Sequence, residues 1–411
     1  MKDGIINVYK PKGMTSNDVI YKVRAALGIR KLGHTGTLDP MAEGVLPIMI
    51  NRGTRIAEYL DWDLKTYETT VTLGIRTDSL DVTGEITETS DPSGIAEEDV
   101  RRAFRELLPN VEETEGGAAR HYGILDQMPP RTSAVRIEGR RLYEYVHAGE
   151  EIPEDILKKV RPRKVWIDSL TIDEIDLPDI RFTVRCSKGT YIRSISRDIG
   201  EILGTGAVMK SLKRTSSGAF DLTNSVSVDE ILKTAIKAGR VCVEAGGPAK
   251  TDSSARSEAG DSEPIEDPGQ VVTSAKIKRK TPFGDVIPVD MERFILGPDL
   301  PLVNLGEALV SHEDALRLLD GWHLSYREAK VTKEPEKPAW IDLLGEEAET
   351  YDRTETSINI GSHAGLKLHP EYMKTYKVYE TDGRGGRVFV GIARHSDKYH
   401  KLTPIKIFIT K

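Results

Sequence analysis

The spacing of apolar and polar positions divides the chain into recognisable elements from its first residues. A short apolar run at Ile5 to Tyr9 predicts a strand, and the loop Lys10 to Ser16 ends in residues able to cap a helix. Val19, Ile20, Val23, Ala26 and Leu27 then recur at the spacing of one helical face, with Asp18 in the first turn and Gly28 as the stop. Val45 to Ile50 reads as a buried strand and Thr54 to Leu60 as a short helix. From Lys65 to Leu73 the pattern changes to strict alternation, with Tyr67, Thr69, Val71 and Leu73 on one face and Thr66, Glu68, Thr70 and Thr72 on the other. Tyr67 is thereby directed at the interior or at a cleft. Phe182, Val184 and Cys186 make a second such face, followed by a Lys188-Gly189 turn and a helix with Ile192, Ile195, Ile199 and Ile202 on its apolar stripe. Arg193 lies in the first turn of that helix, one position off the stripe. Further on, Ala315 to Leu319 predicts a short helix ended by Gly321, Tyr376 to Glu380 and Arg387 to Ala393 a hairpin, and Ile405 to Ile409 a last strand. The stretch 330–375 is polar and reads as an irregular insertion.

Between the early elements lies the run Gly33-His34-Thr35-Gly36-Thr37-Leu38-Asp39-Pro40, which places a carboxylate and an imidazole in one turn. Pro40 biases Asp39 toward an extended backbone, so the carboxylate is presented instead of being folded into a helix. The 411 residues exceed what one compact core holds, and 38% apolar content suffices for two domains. Two cysteines, Cys186 and Cys242, build neither a disulfide framework nor a zinc cluster, and Cys186 reads as a buried hydrophobe. No apolar run approaches the ~20 residues of a membrane span, and the first ten residues read as a strand instead of a signal peptide. A cytoplasmic protein with no metal and no cofactor is the expectation.

The net charge of −7 argues at first against a nucleic-acid partner. Residues 244–275, rich in Gly, Pro, Ser and Ala, hold seven acids against two bases, the composition of a flexible insertion. Elsewhere the bases are clustered: Arg131, Arg136, Arg140, Arg141, Lys158, Lys159, Arg161, Arg163 and Lys164 stand among Tyr143, Tyr145 and Trp166. Cations interleaved with aromatics suit a phosphate-tracking surface, although a solvated charged face has the same composition.

Lys10-Pro11-Lys12-Gly13-Met14-Thr15-Ser16, the Gly33 to Pro40 run and Gly44-Val45-Leu46-Pro47 together resemble the TruB family of tRNA pseudouridine synthases. Further blocks follow in the family's order: Leu73-Gly74 with Thr77-Asp78, Asp81 and Gly84; Gln127-Met128-Pro129-Pro130 with Ser133-Ala134; Lys188 to Arg193; and Leu212-Lys213-Arg214-Thr215 with Gly218 and Phe220. The resemblance implies a mixed α/β (α+β) pseudouridine synthase fold on a largely antiparallel sheet, over residues 1–298, and a small β-rich PUA-like RNA-binding module over residues 299–411. It implies isomerisation of the T-loop uridine at tRNA position 55, by a monomer that engages the T-arm and elbow without an obligate protein partner. Asp39 matches the nucleophile, Tyr67 the active-site tyrosine that stacks on uracil and moves the C5 proton, and Arg193 the arginine that keeps the carboxylate ionised. His34 matches a residue that holds the disrupted loop, and Tyr191 and Leu212 match pocket positions. Arg140, Arg141, Lys158, Arg161 and Arg163 become candidates for RNA backbone contacts.

The chain departs from the pattern at Arg131-Thr132-Ser133, where the family usually carries a tyrosine before the serine, and residues 112–122 look inserted or altered. A P-loop is excluded because no Gly-Lys-Ser/Thr follows the glycines, and a triad of Ser16, His34 and Asp39 lacks a nucleophile elbow. Two alternatives stay open. One is a tRNA-folding chaperone whose catalysis is secondary or absent; the other is a guide-RNA-dependent synthase.

Overall fold

A computed structural model describes residues 2–60, 63–114, 117–243, 277–280, 287, 289–338, 374–381 and 386–408. The acidic segment 244–275 and most of 330–375 lie outside the described residues. The chain divides into two units, Met1–Ile56 with Phe220–Pro298 and Ala57–Ala219 with Asp299–Lys411.

In the first unit the strand Gly4–Lys10 pairs antiparallel with Glu43–Ile50, which also carries the short strand Leu32–His34. The helix Ser16–Leu27 begins at Thr15, whose hydroxyl accepts from Asp18 N (3.0 Å) while the Asp18 carboxylate accepts from Thr15 N (2.9 Å). The Thr15 hydroxyl also donates to the Asp18 carboxylate (2.7 Å), and this bond first, then the one from Thr15 N, holds the Asp18 carboxyl below its ordinary range. The helix stops where the spacing predicts, at Gly28 with φ 66°. Its apolar face packs with the helix Val228–Lys237 and the strands around Ile6, Val8, Leu46 and Ile48. The helix expected at Thr54–Leu60 is instead a 3₁₀ helix over Asn51–Leu60. It enters through Asn51 at φ 50°, and Gly53 is required there because a Cβ would meet Gly4 O at 2.3 Å.

In the second unit an antiparallel sheet runs in the order Ala207–Ser217, Lys65–Leu73, Asp179–Cys186, Arg163–Asp176, Ala119–Gln127, Asn110–Glu113. Lys65–Leu73 is central, and its residues 65, 67, 69, 71 and 73 are all buried, as the alternation predicts. The helices Glu97–Leu107 and Ile192–Ile202 pack together, and Phe104 stands edge-on to Phe182 at 5.4 Å. Within the region 112–122, read as altered, the described strands Asn110–Glu113 and Ala119–Gln127 pair antiparallel, with Glu112 opposite Arg120.

The C-terminal part is β-rich, as expected. Its strands run Leu324–Ser325, Lys401–Ile407, Arg387–Ser396, Thr375–Thr381, Gly306–Val310, Lys330–Lys333 around a core that includes Val310, Leu318, Val378, Val390 and Leu402. Lys330–Lys333 is thus an edge strand at the start of the stretch read as irregular, because its backbone pairs with Gly306–Val310. The last strand begins at Lys401, earlier than the Ile405 expected, and ends at Ile407. Among the described residues no helix is long and apolar enough to cross a membrane.

Candidate active site

Asp39 lies in the turn that joins Leu32–His34 to Glu43–Ile50. The turn is anchored on both sides of it. Ser16 Oγ accepts from Leu38 N (2.9 Å) and donates to Leu38 O (3.2 Å), and Gly13, at φ 82°, donates its N–H to Pro40 O (2.8 Å). The fully buried Lys10 ammonium donates to Ala42 O (2.6 Å), Pro11 O (3.0 Å) and Pro40 O (3.3 Å). Leu38 and Ala42 are buried while Asp39 between them is only half-buried. The Ser16 hydroxyl is buried and committed to Leu38, which removes it as a nucleophile. His34 pairs with Ile48 in the sheet, and its Nδ1 accepts from Gly36 N at 3.3 Å, an arrangement that needs an unprotonated Nδ1.

In the second unit Tyr67, 8% exposed, stands on the buried face of the central strand, opposite Val184 on one neighbour and Arg214 on the other. Leu212 is buried and opposes Thr69, one step along the same face. Lys65 and Arg214 complete that face, an unusual pairing of two buried cations. Burial first, and then the Arg214 guanidinium, push the Lys65 ammonium down to about 8. The thiol of Cys186, buried on the adjoining strand, is pushed up to about 12 by burial, which leaves it the inert hydrophobe that the sequence suggests.

Arg193 is 7% exposed, so it is no surface cation at a helix end. Its Nη1 donates to Ser79 O (3.0 Å) and to Thr132 Oγ1 (2.6 Å), its Nη2 donates to Thr132 O (3.1 Å), and Asp81 Oδ2 lies 3.8 Å from Nη1. Asp81, 4% exposed, also accepts from Ser79 Oγ (2.9 Å), Thr83 N (3.0 Å) and Thr83 Oγ1 (2.5 Å). Asp81 and Thr132 were not among the sequence candidates. The only sequence signals for them were membership of a quoted block for Asp81 and a departure from the family pattern for Thr132. Tyr191 caps the same helix: its N–H donates to Gln127 Oε1 (2.6 Å) and its carbonyl accepts from Gln127 Nε2 (2.9 Å).

The basic cluster is dispersed over several short elements, and much of it is already paired. Arg140 meets Glu150 at 2.6 Å and lies 3.8 Å over the Tyr145 ring; Lys158 meets Glu154 at 2.8 Å; Lys159 meets Glu138 at 2.6 Å. Arg141 stacks near Tyr143 at 5.8 Å, Arg161 is exposed and donates to the Lys158 carbonyl, and Arg163 opens the long strand opposite Gln127. Among the described residues no group of three or more His, Cys, Asp or Glu is placed to hold a metal ion.

Residues 24–192 match the model for the N-terminal domain of TruB family pseudouridylate synthases, and residues 193–241 match the model for the C-terminal domain of tRNA pseudouridylate synthase B. A protein of Bacillus thuringiensis (strain Al Hakam) named tRNA pseudouridine synthase B is 41% identical over 229 residues, which is 56% of this chain and 70% of that protein. The chain belongs to the TruB family. A TruB relative of the same name from Clostridioides difficile (strain 630) is 44% identical over 227 residues, covering 55% of this chain and 69% of the relative. The fold is shared with solved structures at lower identity. A chain of a Cbf5-Nop10-Gar1 complex superposes with a TM-score of 0.56 at 18% identity, covering 99% of this chain and 85% of that one. A chain of an H/ACA RNP bound to a substrate RNA containing 2'-deoxyuridine gives 0.55 at 17%, with the same coverage. Within the TruB assignment, His34, Asp39, Tyr67 and Tyr191 fall in the N-terminal match, and Arg193 and Leu212 in the C-terminal one.

Proposed function

We propose that this TruB-family chain converts the T-loop uridine at position 55 of tRNA to pseudouridine, with no guide RNA and no cofactor. The bond from uracil N1 to ribose C1′ breaks, the freed base turns, and C5 bonds to C1′ while its proton leaves and N1 gains one. The reaction is an isomerisation and needs no net oxidant, reductant or water. The single observation that carries the reading is the anchoring of the Asp39 turn, where the Ser16 hydroxyl, the Lys10 ammonium and the Gly13 N–H hold the backbone of Leu38, Pro40 and Ala42 around the half-buried Asp39. A carboxylate on a turn fixed in this way suits nucleophilic or ion-stabilising attack on an electron-poor centre.

Asp39 supplies that carboxylate. Tyr67 stacks on the uracil and takes the proton that leaves C5. Arg193 supplies positive charge at the reacting centre and favours an ionised carboxylate there. The target base is extruded from its stack at roughly a few kcal/mol, with His34 holding the opened loop and Tyr191 and Leu212 lining the pocket. Arg140, Arg141, Lys158, Arg161 and Arg163 contact phosphates, and the β-rich part from 299 onward serves as a PUA-like RNA-binding module on the T-arm and elbow. The test is the purified chain on unmodified tRNA transcript, with the product mapped by position. Pseudouridine at position 55 alone, absent from a transcript carrying cytidine there, supports the reading. Binding without conversion favours a folding chaperone, and conversion only after an RNA or protein partner is added favours a guided enzyme; both defeat it.

A further inference from the structure

Arg193 is held by the segment that follows the strand Ala119–Gln127. Ser194 Oγ donates to Met128 O (2.9 Å), Gln127 pairs with both backbone groups of Tyr191, and Thr132 receives two bonds from the guanidinium. Residues 127–132 are therefore laced to the first turn of the helix Ile192–Ile202. Most of this lacing ends on backbone carbonyls, which a substitution leaves in place. Of the bonds from the Arg193 guanidinium described above, the one at Thr132 Oγ1 is short at 2.6 Å and ends on a side-chain hydroxyl, whereas those to Ser79 O and Thr132 O end on backbone carbonyls. Charge-assisted bonds of this length are among the stronger ones, and a buried guanidinium N–H deprived of its acceptor is costly.

The acceptors around Arg193 also differ in direction. Nη1 is shared among Ser79 O, Thr132 Oγ1 and, more distantly, the Asp81 carboxylate, while Nη2 meets Thr132 O. Thr132 thus touches both terminal nitrogens and fixes the rotation of the guanidinium plane. Asp81, at 3.8 Å, supplies charge with little directional constraint. Thr132 needs its hydroxyl for this, and a serine supplies the same acceptor.

We propose that Thr132 is a positioning residue for Arg193, whose hydroxyl sets the guanidinium orientation required in the chemical step. The proposal rests on the functional reading of Arg193 given above. Because Thr132 acts on orientation and not on tRNA contact, its loss lowers kcat and leaves tRNA affinity alone.

The experiment compares wild type, Thr132→Val, Thr132→Ser and Arg193→Met for pseudouridine formation under saturating tRNA, for tRNA binding by filter retention, and for thermal midpoint. Valine keeps the shape and removes the acceptor. The expected result is a fall of about tenfold in kcat for Thr132→Val. Its Kd for tRNA stays near wild type, its thermal midpoint falls by only a few degrees because Nη1 keeps the Ser79 carbonyl, and at least half of the rate returns in Thr132→Ser. Wild-type kcat in Thr132→Val, a parallel loss of binding, or no recovery in Thr132→Ser overturns the proposal. Arg193→Met separates the two levels: if it is inactive while Thr132→Val turns over normally, only the positioning role fails, whereas full activity in Arg193→Met removes the reading of Arg193 itself.

Discussion

Replacing Lys65 by methionine should stabilise this protein at neutral pH and change how its stability depends on pH. Lys65 is buried on the face that carries Tyr67, with Arg214 as a like-charged neighbour, and its ammonium is pushed from an ordinary 10.5 to about 8. The unfolded chain therefore holds this proton more tightly than the folded one between about pH 8 and 10.5. Stability is penalised below that window and regained as the pH rises through it. For a shift of this size the linkage relation gives a penalty of roughly 3 kcal/mol at pH 7, about 2 at pH 9 and about 1 at pH 10. Methionine fills a similar volume and has no proton to lose. Tyr9, whose hydroxyl is pushed up to about 12 by burial and Glu43, works in the opposite direction at alkaline pH but is common to both proteins. The difference between them isolates Lys65. The assay is urea denaturation of wild type and Lys65→Met at half-unit steps from pH 7 to 10. The variant should be the more stable at pH 7, and the gap should close by roughly 2 kcal/mol by pH 10. Parallel curves across that range would refute the reasoning.

Other perturbations have equally definite outcomes. Phe182→Ala removes a fully buried ring standing edge-on to Phe104 and should cost about 3–5 kcal/mol by chemical denaturation; a loss below about 1 kcal/mol would mean that the site collapses freely. Gly200→Ala places a Cβ 2.2 Å from Ala207 N and 2.4 Å from Gly206 C, so it should destabilise by at least about 1–3 kcal/mol, read as a lowered thermal midpoint. Neutralising Arg140, Arg141, Lys158, Arg161 and Arg163 together should weaken tRNA binding and flatten its dependence on salt. The change in slope should fall short of about 0.9 per cation removed, because Arg140 and Lys158 must first leave Glu150 and Glu154. An unchanged slope would show that the cluster is a solvated face.

The elements legible in the sequence were those in which one face is buried along a regular period. Lys65–Leu73 and Asp179–Cys186 announce themselves because alternate side chains enter the core, and Ser16–Leu27 because Thr15 and Gly28 close both of its ends. The turn holding Asp39 was legible through Pro40 and the flanking glycines. What surrounds Arg193 was not, since Ser79 and Asp81 are more than a hundred positions away from it and no local period records such a meeting. The buried state of Lys65 was available in principle, because the alternation that placed Tyr67 inside places Lys65 on the same side. The ion pairs inside the basic cluster went unread for a related reason. Its cations were weighed without Glu138, Glu150 and Glu154, which stand among them in the sequence and pair with them in the fold. Asn51–Leu60 differs from the expected helix because its entry is set by Asn51 in a left-handed conformation and by the close approach of Gly53 to Gly4, neither of which an apolar period encodes.

Asp39 carries the central claim, and the most direct measurement is pseudouridine formation on unmodified tRNA transcript by wild type and Asp39→Asn, with binding followed in parallel. Asparagine keeps the size of the side chain and removes its charge and nucleophilicity. The account predicts that wild type converts one T-loop uridine while Asp39→Asn binds the tRNA with similar affinity and converts none. Conversion by Asp39→Asn at a rate near wild type would contradict it.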